Sequence, residues 1–198
     1  MYNRKDSTLS HAPPGEGLTG VYVIDPAHST IGFSARHALV TDVRGKFTAF
    51  EGILKLDGSR LTRSEAYFSV QTGSADTGLP ERDAHVRGPD FLDSATFPLM
   101  SFRSSGILDA TDHRFHLAGH LRIKDAELPL RIGLAFGGAS RDALGRDRVA
   151  FAGAATLRRS DRGLGRNAAL AAGGGPVSDE LELILDICAV RLNEAVAD

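Results

Sequence analysis

The sequence predicts an all-β domain, an antiparallel meander of about eight strands that closes into a barrel or stacks as a sandwich. Three observations predict it. Apolar residues recur at every second position, the period of a strand with one buried face, through four clear windows and four weaker ones. Short polar turns, Asp57-Gly58-Ser59, Ala110-Thr111-Asp112 and Lys124-Asp125-Ala126, join neighbouring windows, which makes the pairing antiparallel. The length, 198 residues without an internal repeat or a linker-like stretch, is that of one domain.

Residues 1–20 are polar, contain Pro13-Pro14-Gly15, and carry Arg4 and Lys5 with no apolar run behind them. They read as a disordered tail rather than a secretory signal, which points to the cytoplasm. Alternation is weak over 29–36, 46–57, 64–71 and 98–109. It is clear in Phe115, Leu117, Gly119, Leu121 and Ile123, and again in Leu128, Leu130, Ile132, Leu134 and Phe136. Val149, Phe151, Gly153, Ala155 and Leu157 form a third clear window, and Leu181, Leu183, Leu185, Ile187 and Ala189 a fourth. Two irregular segments interrupt the meander. Thr77 to Pro98 is polar and aromatic, with short helical stretches at 80–87 and 88–94; Arg162 to Pro176 is rich in Gly and Ala and reads as a loop or short helix. Gly52, Gly119 and Gly153, with Ala66 and Ala155, fall on the apolar rows. Strand glycine either relieves strain where strands coil sharply or leaves room for a ligand inside an eight-stranded barrel.

Composition and motifs exclude more than they assign. Lys plus Arg number 23 and Asp plus Glu 25, a net charge of −2, so nucleic acid is not an expected partner. A single cysteine, Cys188, rules out an internal disulfide, and no apolar run is long enough for a transmembrane helix. His116 and His120 share a strand face but stand about 13 Å apart, too far for one metal ion. Gly32-Phe33-Ser34-Ala35-Arg36 begins like a nucleophile elbow but lacks the final glycine and the following helix. Neither catalytic nor metal-binding residues are expected. The carboxylates Asp83, Asp90 and Asp93, among Arg82, His85 and Arg87, read first as a hydrogen-bonded structural turn, with an Asp83/His85 acid–base pair as the alternative. The segment as a whole either caps one barrel end, with Phe91 and Phe97 over a cavity mouth, or anchors a long crossover.

These residues resemble the YceI-like family of polyisoprenoid-binding proteins. The opening Tyr22 to Ser29 with Phe33, Arg36 and His37 matches, as do Val43 to Phe47 and Phe50-Glu51-Gly52. The most recognisable part is Arg82-Asp83-Ala84-His85 with Asp90-Phe91-Leu92-Asp93 and Phe97-Pro98. Ser101-Phe102, Gly119 to Lys124, Arg159-Ser160-Asp161 with Gly163-Leu164, and Val177 to Leu181 follow in order. The resemblance covers about 21–192 and leaves 193–198 as a short C-terminal tail. It implies an eight-stranded antiparallel barrel of lipocalin-like shape with a short helical segment near 80–94, often dimeric. It further implies a soluble homodimer that binds a long isoprenoid lipid, a quinone or a polyprenyl phosphate, without catalysis and with no required cofactor. Three positions depart from the pattern: Leu92 for a second aromatic, Gly88 for a small polar residue, and Arg162 for a phenylalanine.

With such a ligand, the apolar rows and the irregular segment supply the expected lining: Phe33, Phe50, Phe68, Phe91, Phe97, Phe102, Phe115, Leu117, Leu121, Leu130, Ile132, Leu134, Phe151 and Ala155. The expected head-group donors are Arg36, His37, Arg82, His85 and Arg159. Ten buried apolar carbons supply about 8 kcal/mol before ordering costs, enough for micromolar binding. Two alternatives remain: an enzyme acting on such a lipid with Asp83 and His85 as its acid–base pair, and a ligand-free structural or stress-response module whose barrel is filled by side chains.

Overall fold

The computed structural model describes residues 16–37, 41–111, 113–164 and 177–192. In chain order these form β1 (Gly20–Ile24), β2 (Thr30–His37), β3 (Thr41–Phe47), β4 (Phe50–Leu56), β5 (Glu65–Gln71), β6 (Ala75–Asp76), helix α1 (Pro80–Arg87), β7 (Leu99–Leu108), β8 (Arg114–Ile123), β9 (Ala126–Arg141), β10 (Asp147–Arg158) and β11 (Val177–Arg191). Every pairing is antiparallel.

The eleven segments make eight barrel staves. β1 and β2 lie end to end along one edge of β11, which pairs Tyr22 with Arg191 and Leu183 with Phe33. β3 and β4 run end to end beside them, and β5 and β6 beside those. β7 to β11 follow as single strands, and β1 closes the ring on β11. The barrel reading therefore holds over the sandwich. The expected window at 46–57 is broken at Thr48 and Ala49, and β9 and β11 run well beyond their apolar rows. Period two marks only the buried stretch of a strand, whereas backbone pairing continues past it. Residues 16–18, assigned to the tail, form a 3-10 turn, and Gly20 opens β1; residues 1–15, 165–176 and 193–198 lie outside the described residues.

The break between β1 and β2 has a local cause. Pro26 cannot donate to a ladder, and Asp25 caps the single turn Pro26–His28 by accepting from the Ala27 N–H at 3.1 Å. The turn pulls the chain off β11 opposite Cys188. Ser29 Oγ fills the gap, donating to the Cys188 carbonyl at 3.0 Å and accepting from its N–H at 2.9 Å, while the Asp25 N–H donates to the same carbonyl at 2.8 Å. A side-chain hydroxyl thus stands in for the missing ladder bonds.

Arg148 fastens this kink to the β9–β10 turn. Its guanidinium reaches Asp25 at 2.7 Å and Asp142 at 2.9 Å. Asp142 also accepts from the Arg146 and Leu144 backbone N–H groups at 3.0 and 2.9 Å. The Arg146 backbone N–H, then Arg148, hold the Asp142 carboxyl well below the ordinary carboxylate range, and Arg148 lowers that of Asp25.

The inward glycines are neither empty space nor simple relief of strain. The Phe102 ring lies over Gly119, so that a Cβ built on Gly119 falls 2.4 Å from the ring and 2.4 Å from the Arg103 carbonyl oxygen. Phe33 covers Gly45 in the same way, at 2.3 Å. Gly52 and Gly153 are closed off by Ile24 and by Leu134 with backbone. Phe102 is fully buried and stacks on Phe68 with ring centroids 5.4 Å apart.

Three outcomes follow from this packing. Ser29→Ala leaves the Cys188 N–H without its acceptor and is expected to cost about 1–3 kcal/mol in denaturant unfolding; an unchanged midpoint would show that the kink does not depend on the hydroxyl. Gly119→Ala forces the Phe102 ring off its rotamer and is expected to lower stability by about 1–3 kcal/mol, read as a fall in Tm. Asp25 and Asp142 carry folded-state values below their unfolded ones, so the stability they confer is complete above about pH 4 and is lost as pH falls further. Asp142→Asn is accordingly expected to make the acid limb of a Tm-against-pH curve shallower, and a limb parallel to wild type contradicts this account.

Candidate functional site

A cavity of about 70 Å³ lies inside the barrel toward the end where β1 begins and β7 and β11 finish. Its walls are the inward rows of Ile24, Leu54, Phe68, Ile107, Phe115, Leu117, Ile132, Leu134, Phe151, Leu185 and Ile187. Rows from eight different strands converge here because alternation sends every second side chain inward.

Two pieces of chain cover this end. Leu18, from the turn Glu16–Leu18, and Leu61, from the connection 57–64, both line the cavity. Tyr22 Oη donates to the Leu18 carbonyl at 3.1 Å, and Arg191 donates to Tyr22 Oη at 2.7 Å and to the Gly17 carbonyl. In the second cover, Asp57 accepts from Ser59 and Arg60 while Ser64 Oγ accepts from the Asp57 N–H at 3.0 Å. The Gly58 N–H donates to Thr19 Oγ1 at 3.0 Å and joins the covers. Among the described residues, Ser64 and Glu65 are the polar members of the lining, and no cation is among it.

The opposite end is plugged. The chain from Thr77 to Pro98 crosses it, with α1 started by Pro80 at its first turn. Asp83 is buried; it accepts from the Thr77 hydroxyl at 2.5 Å and the Thr77 N–H at 2.7 Å, bonds that hold its carboxyl below the usual range. Arg82 donates to the Thr77 hydroxyl and carbonyl, both at 2.8 Å. Phe91 sits edge-on to His85, 5.0 Å away, and beneath the Arg159 guanidinium, also 5.0 Å away. Arg159 is buried, donates to the Ser178 carbonyl at 3.1 Å, and has its pKa pushed down by that burial. Lys124 reaches the Pro89 and Gly163 carbonyls at 3.4 and 3.3 Å. Arg162 is buried beside them and donates to the Leu121 carbonyl at 3.0 Å and more weakly to that of Pro129, pinning the turn Ser160–Arg162 onto the β8–β9 hairpin.

The expected site residues divide between these ends. Phe68, Phe115, Leu117, Ile132, Leu134 and Phe151 line the cavity. Phe33, Phe102, Leu121, Leu130 and Ala155 are buried core outside it, and Phe50 packs against that core. Phe91 and Phe97 belong to the plug: Phe91 lies under Arg159, and the Phe97 carbonyl accepts from Thr72 Oγ1 at 2.7 Å. They lie over the end away from the cavity, because the crossover's hydrogen bonds run to Thr72, Ala75 and Thr77. Arg82, His85 and Arg159 gather in the same plug. Arg36 is exposed near Asp42, and His37 ends β2 opposite Thr41 and Val177. The expected head-group donors therefore stand apart from the cavity. Asp83 and His85 sit two positions apart on α1, a spacing at which side chains do not face each other. Leu18, Ile24, Leu54, Leu56, Leu61, Ala66, Ile107, Leu185 and Ile187, with Ser64 and Glu65, complete the lining beyond the expected set. Leu185 and Ile187 stood in a clear period-two row and were legible; Leu18 and Leu61 come from turns, where periodicity is silent.

Among the described residues, no cluster of three or more His, Cys, Asp or Glu is placed to hold a metal ion, and no helix is long and apolar enough to cross a membrane. Comparison with known proteins gives one consistent answer. A UPF0312 protein of Azotobacter vinelandii is 30% identical over 179 residues, covering 89% of this chain and 90% of its own. One from Vibrio vulnificus is 32% identical over 155 residues, covering 77% and 82%. The crystal structure of Burkholderia cenocepacia BcnA superposes with a TM-score of 0.74 at 21% identity over 83% of this chain and 98% of its own. A polyisoprenoid-binding domain from Saccharophagus degradans, implicated in plant cell wall breakdown, does so with a TM-score of 0.69 at 14% identity over 86% and 98%. The family model for the YceI-like domain matches residues 22–189, from the first barrel strand to the last, and the chain belongs to that family.

Proposed function

We propose that this chain binds a long apolar isoprenoid lipid in the barrel interior, for carriage or storage and without catalysis. The observation that carries the reading is the cavity: its walls are aliphatic and aromatic, and among the described residues Ser64 and Glu65 are its only polar lining. Membership of the YceI-like family and the likeness to a polyisoprenoid-binding domain support it. Of the two head groups considered, the neutral quinone suits this end better than a phosphate. Glu65 repels an anion, and its nearest cation, Lys55, is already paired with it at 3.3 Å.

The closed cavity of about 70 Å³ is less than half of the roughly 150 Å³ that takes up one benzene. A prenyl chain therefore enters only as Leu18 and Leu61 swing aside. Those covers are held by a few part-buried hydrogen bonds, whereas the opposite plug is anchored by buried arginines. The small volume is also what favours the competing reading, a barrel filled by its own side chains.

The chain contains no tryptophan, so one can be introduced as a probe. Phe115→Trp is expected to show saturable quenching by an added isoprenoid quinone, at a Kd on the order of micromolar, while His116→Trp, on the outer face of the same strand, shows none. Native mass spectrometry of freshly purified protein, followed by organic extraction, is expected to find a bound isoprenoid and also reads whether two copies pair. A clean apo mass together with no quenching at Phe115→Trp supports the filled barrel instead.

A further inference from the structure

We propose that the outer wall formed by β7, β8 and β9 is a docking face for an anionic phospholipid surface, placing the cavity beside the lipid from which it loads. For its class of partner, the inference rests on the lipid-carrier reading. Four arginines stand exposed on this wall: Arg103 on β7, Arg114 and Arg122 on β8, and Arg131 on β9. The strand registers bring them together. Arg103 lies opposite His120, Arg122 opposite Ser101 and Glu127, and Arg131 opposite Ala118. From Arg114 to Arg122 the band runs about 27 Å along β8. None of the four makes an ion pair among the described residues, although carboxylates elsewhere on the surface take up Arg36, Arg141, Arg146, Arg148 and Arg191. Among the described residues, Glu127 is the only carboxylate on the outward strand positions of the wall; Asp109 and Asp125 sit in the turns at its two ends.

Charge is segregated rather than abundant. The whole chain carries −2, and the outer positions of β11 carry Glu180, Glu182 and Asp186. A uniform surface has no such cationic band, and long-range attraction to a negative surface acts on the band rather than on net charge. The same three strands turn Ile107, Phe115, Leu117, Ile132 and Leu134 into the cavity. At the cavity end of the wall, Arg114 precedes Phe115, and Leu108, opposite His116, is partly exposed. A cationic wall with an exposed leucine at its cavity end, beside the covers over the cavity, suits a bilayer surface better than a protein groove.

The test is co-sedimentation of the full chain with vesicles of phosphatidylcholine alone and of phosphatidylcholine with phosphatidylglycerol, neither containing quinone. Binding is expected only to the mixed vesicles and is expected to fall steeply with added salt. Each arginine near such a surface contributes about a five-fold change in partition, so Arg122→Ser with Arg131→Ser is expected to lose about 25-fold. Arg44→Ser with Lys46→Ser, the same change of charge on β3, is expected to lose little. Equal loss from both pairs, equal binding to neutral vesicles, or equally tight retention on duplex DNA overturns the proposal. So does concentration-dependent self-association that the wall pair abolishes in the absence of vesicles, which assigns the wall to a second copy. Because the vesicles hold no quinone, failure here leaves the quenching of Phe115→Trp as an independent measure of ligand binding.

Discussion

The barrel depends on one edge of β11 being satisfied across the break between β1 and β2. A closed sheet has no free edge, and a single unpaired stretch would expose backbone to water at the seam. The chain that lies on this edge is not a continuous strand, because Asp25 to Ser29 turns away from it. Closure survives because a serine hydroxyl both gives and takes the bonds that a strand residue would have made with Cys188. Arg148 then ties the same kink to β10 and to the turn at its start. With the seam closed, eight inward rows face one another and a common interior exists.

That interior is graded from end to end. Toward the plug, the large rings are matched to absent side chains, Phe102 over Gly119 and Phe33 over Gly45, so the packing is dense. Toward the covers, Leu117 pairs with Ile132 and Phe115 with Leu134, and the cavity remains. Gly119 and Gly45 therefore mark solid barrel, while Gly52 and Gly153 are covered by residues that also line the cavity. The two ends differ in how they are held as well. One relies on buried guanidinium groups bound to carbonyls, the other on surface turns linked through Thr19 and Gly58.

Much of the fold was legible because alternation reports burial directly. The rows beginning at Phe115, Leu128, Val149 and Leu181 all became barrel strands with the expected residues inside. Alternation did not reveal the short β1 and β6, since five and two residues are too few to show a period; β1 was marked only by the family resemblance of the segment from Tyr22. The glycine signal was visible but ambiguous, since whether Gly119 leaves a hole depends on a ring from a neighbouring strand, and register is not written in either strand alone. The site was legible only in part. Periodicity identified inward residues but carries no information about height along the barrel, so Leu117 beside the cavity and Leu121 beneath it looked alike. The polar crossover advertised itself through Arg82, Asp83 and His85, and these residues serve its own hydrogen bonds to Thr77 and contacts with Phe91. Density of polar groups marked the firmest end of the molecule, while the covers over the cavity, Leu18 and Leu61, came from turns of ordinary composition.

The seam joins residues nearly a full chain length apart, Tyr22 beside Arg191. During synthesis, β1 to β10 leave the ribosome before β11, and β10 and the β1–β2 stave wait with open edges until it arrives. Contacts between such distant parts of a chain form slowly, and a waiting edge is open to any other strand. The Pro26 turn shortens that hazard. It breaks the waiting stave into two pieces, neither longer than the eight residues of β2, so the unfinished barrel offers passing chains a poor template until its own last strand completes it.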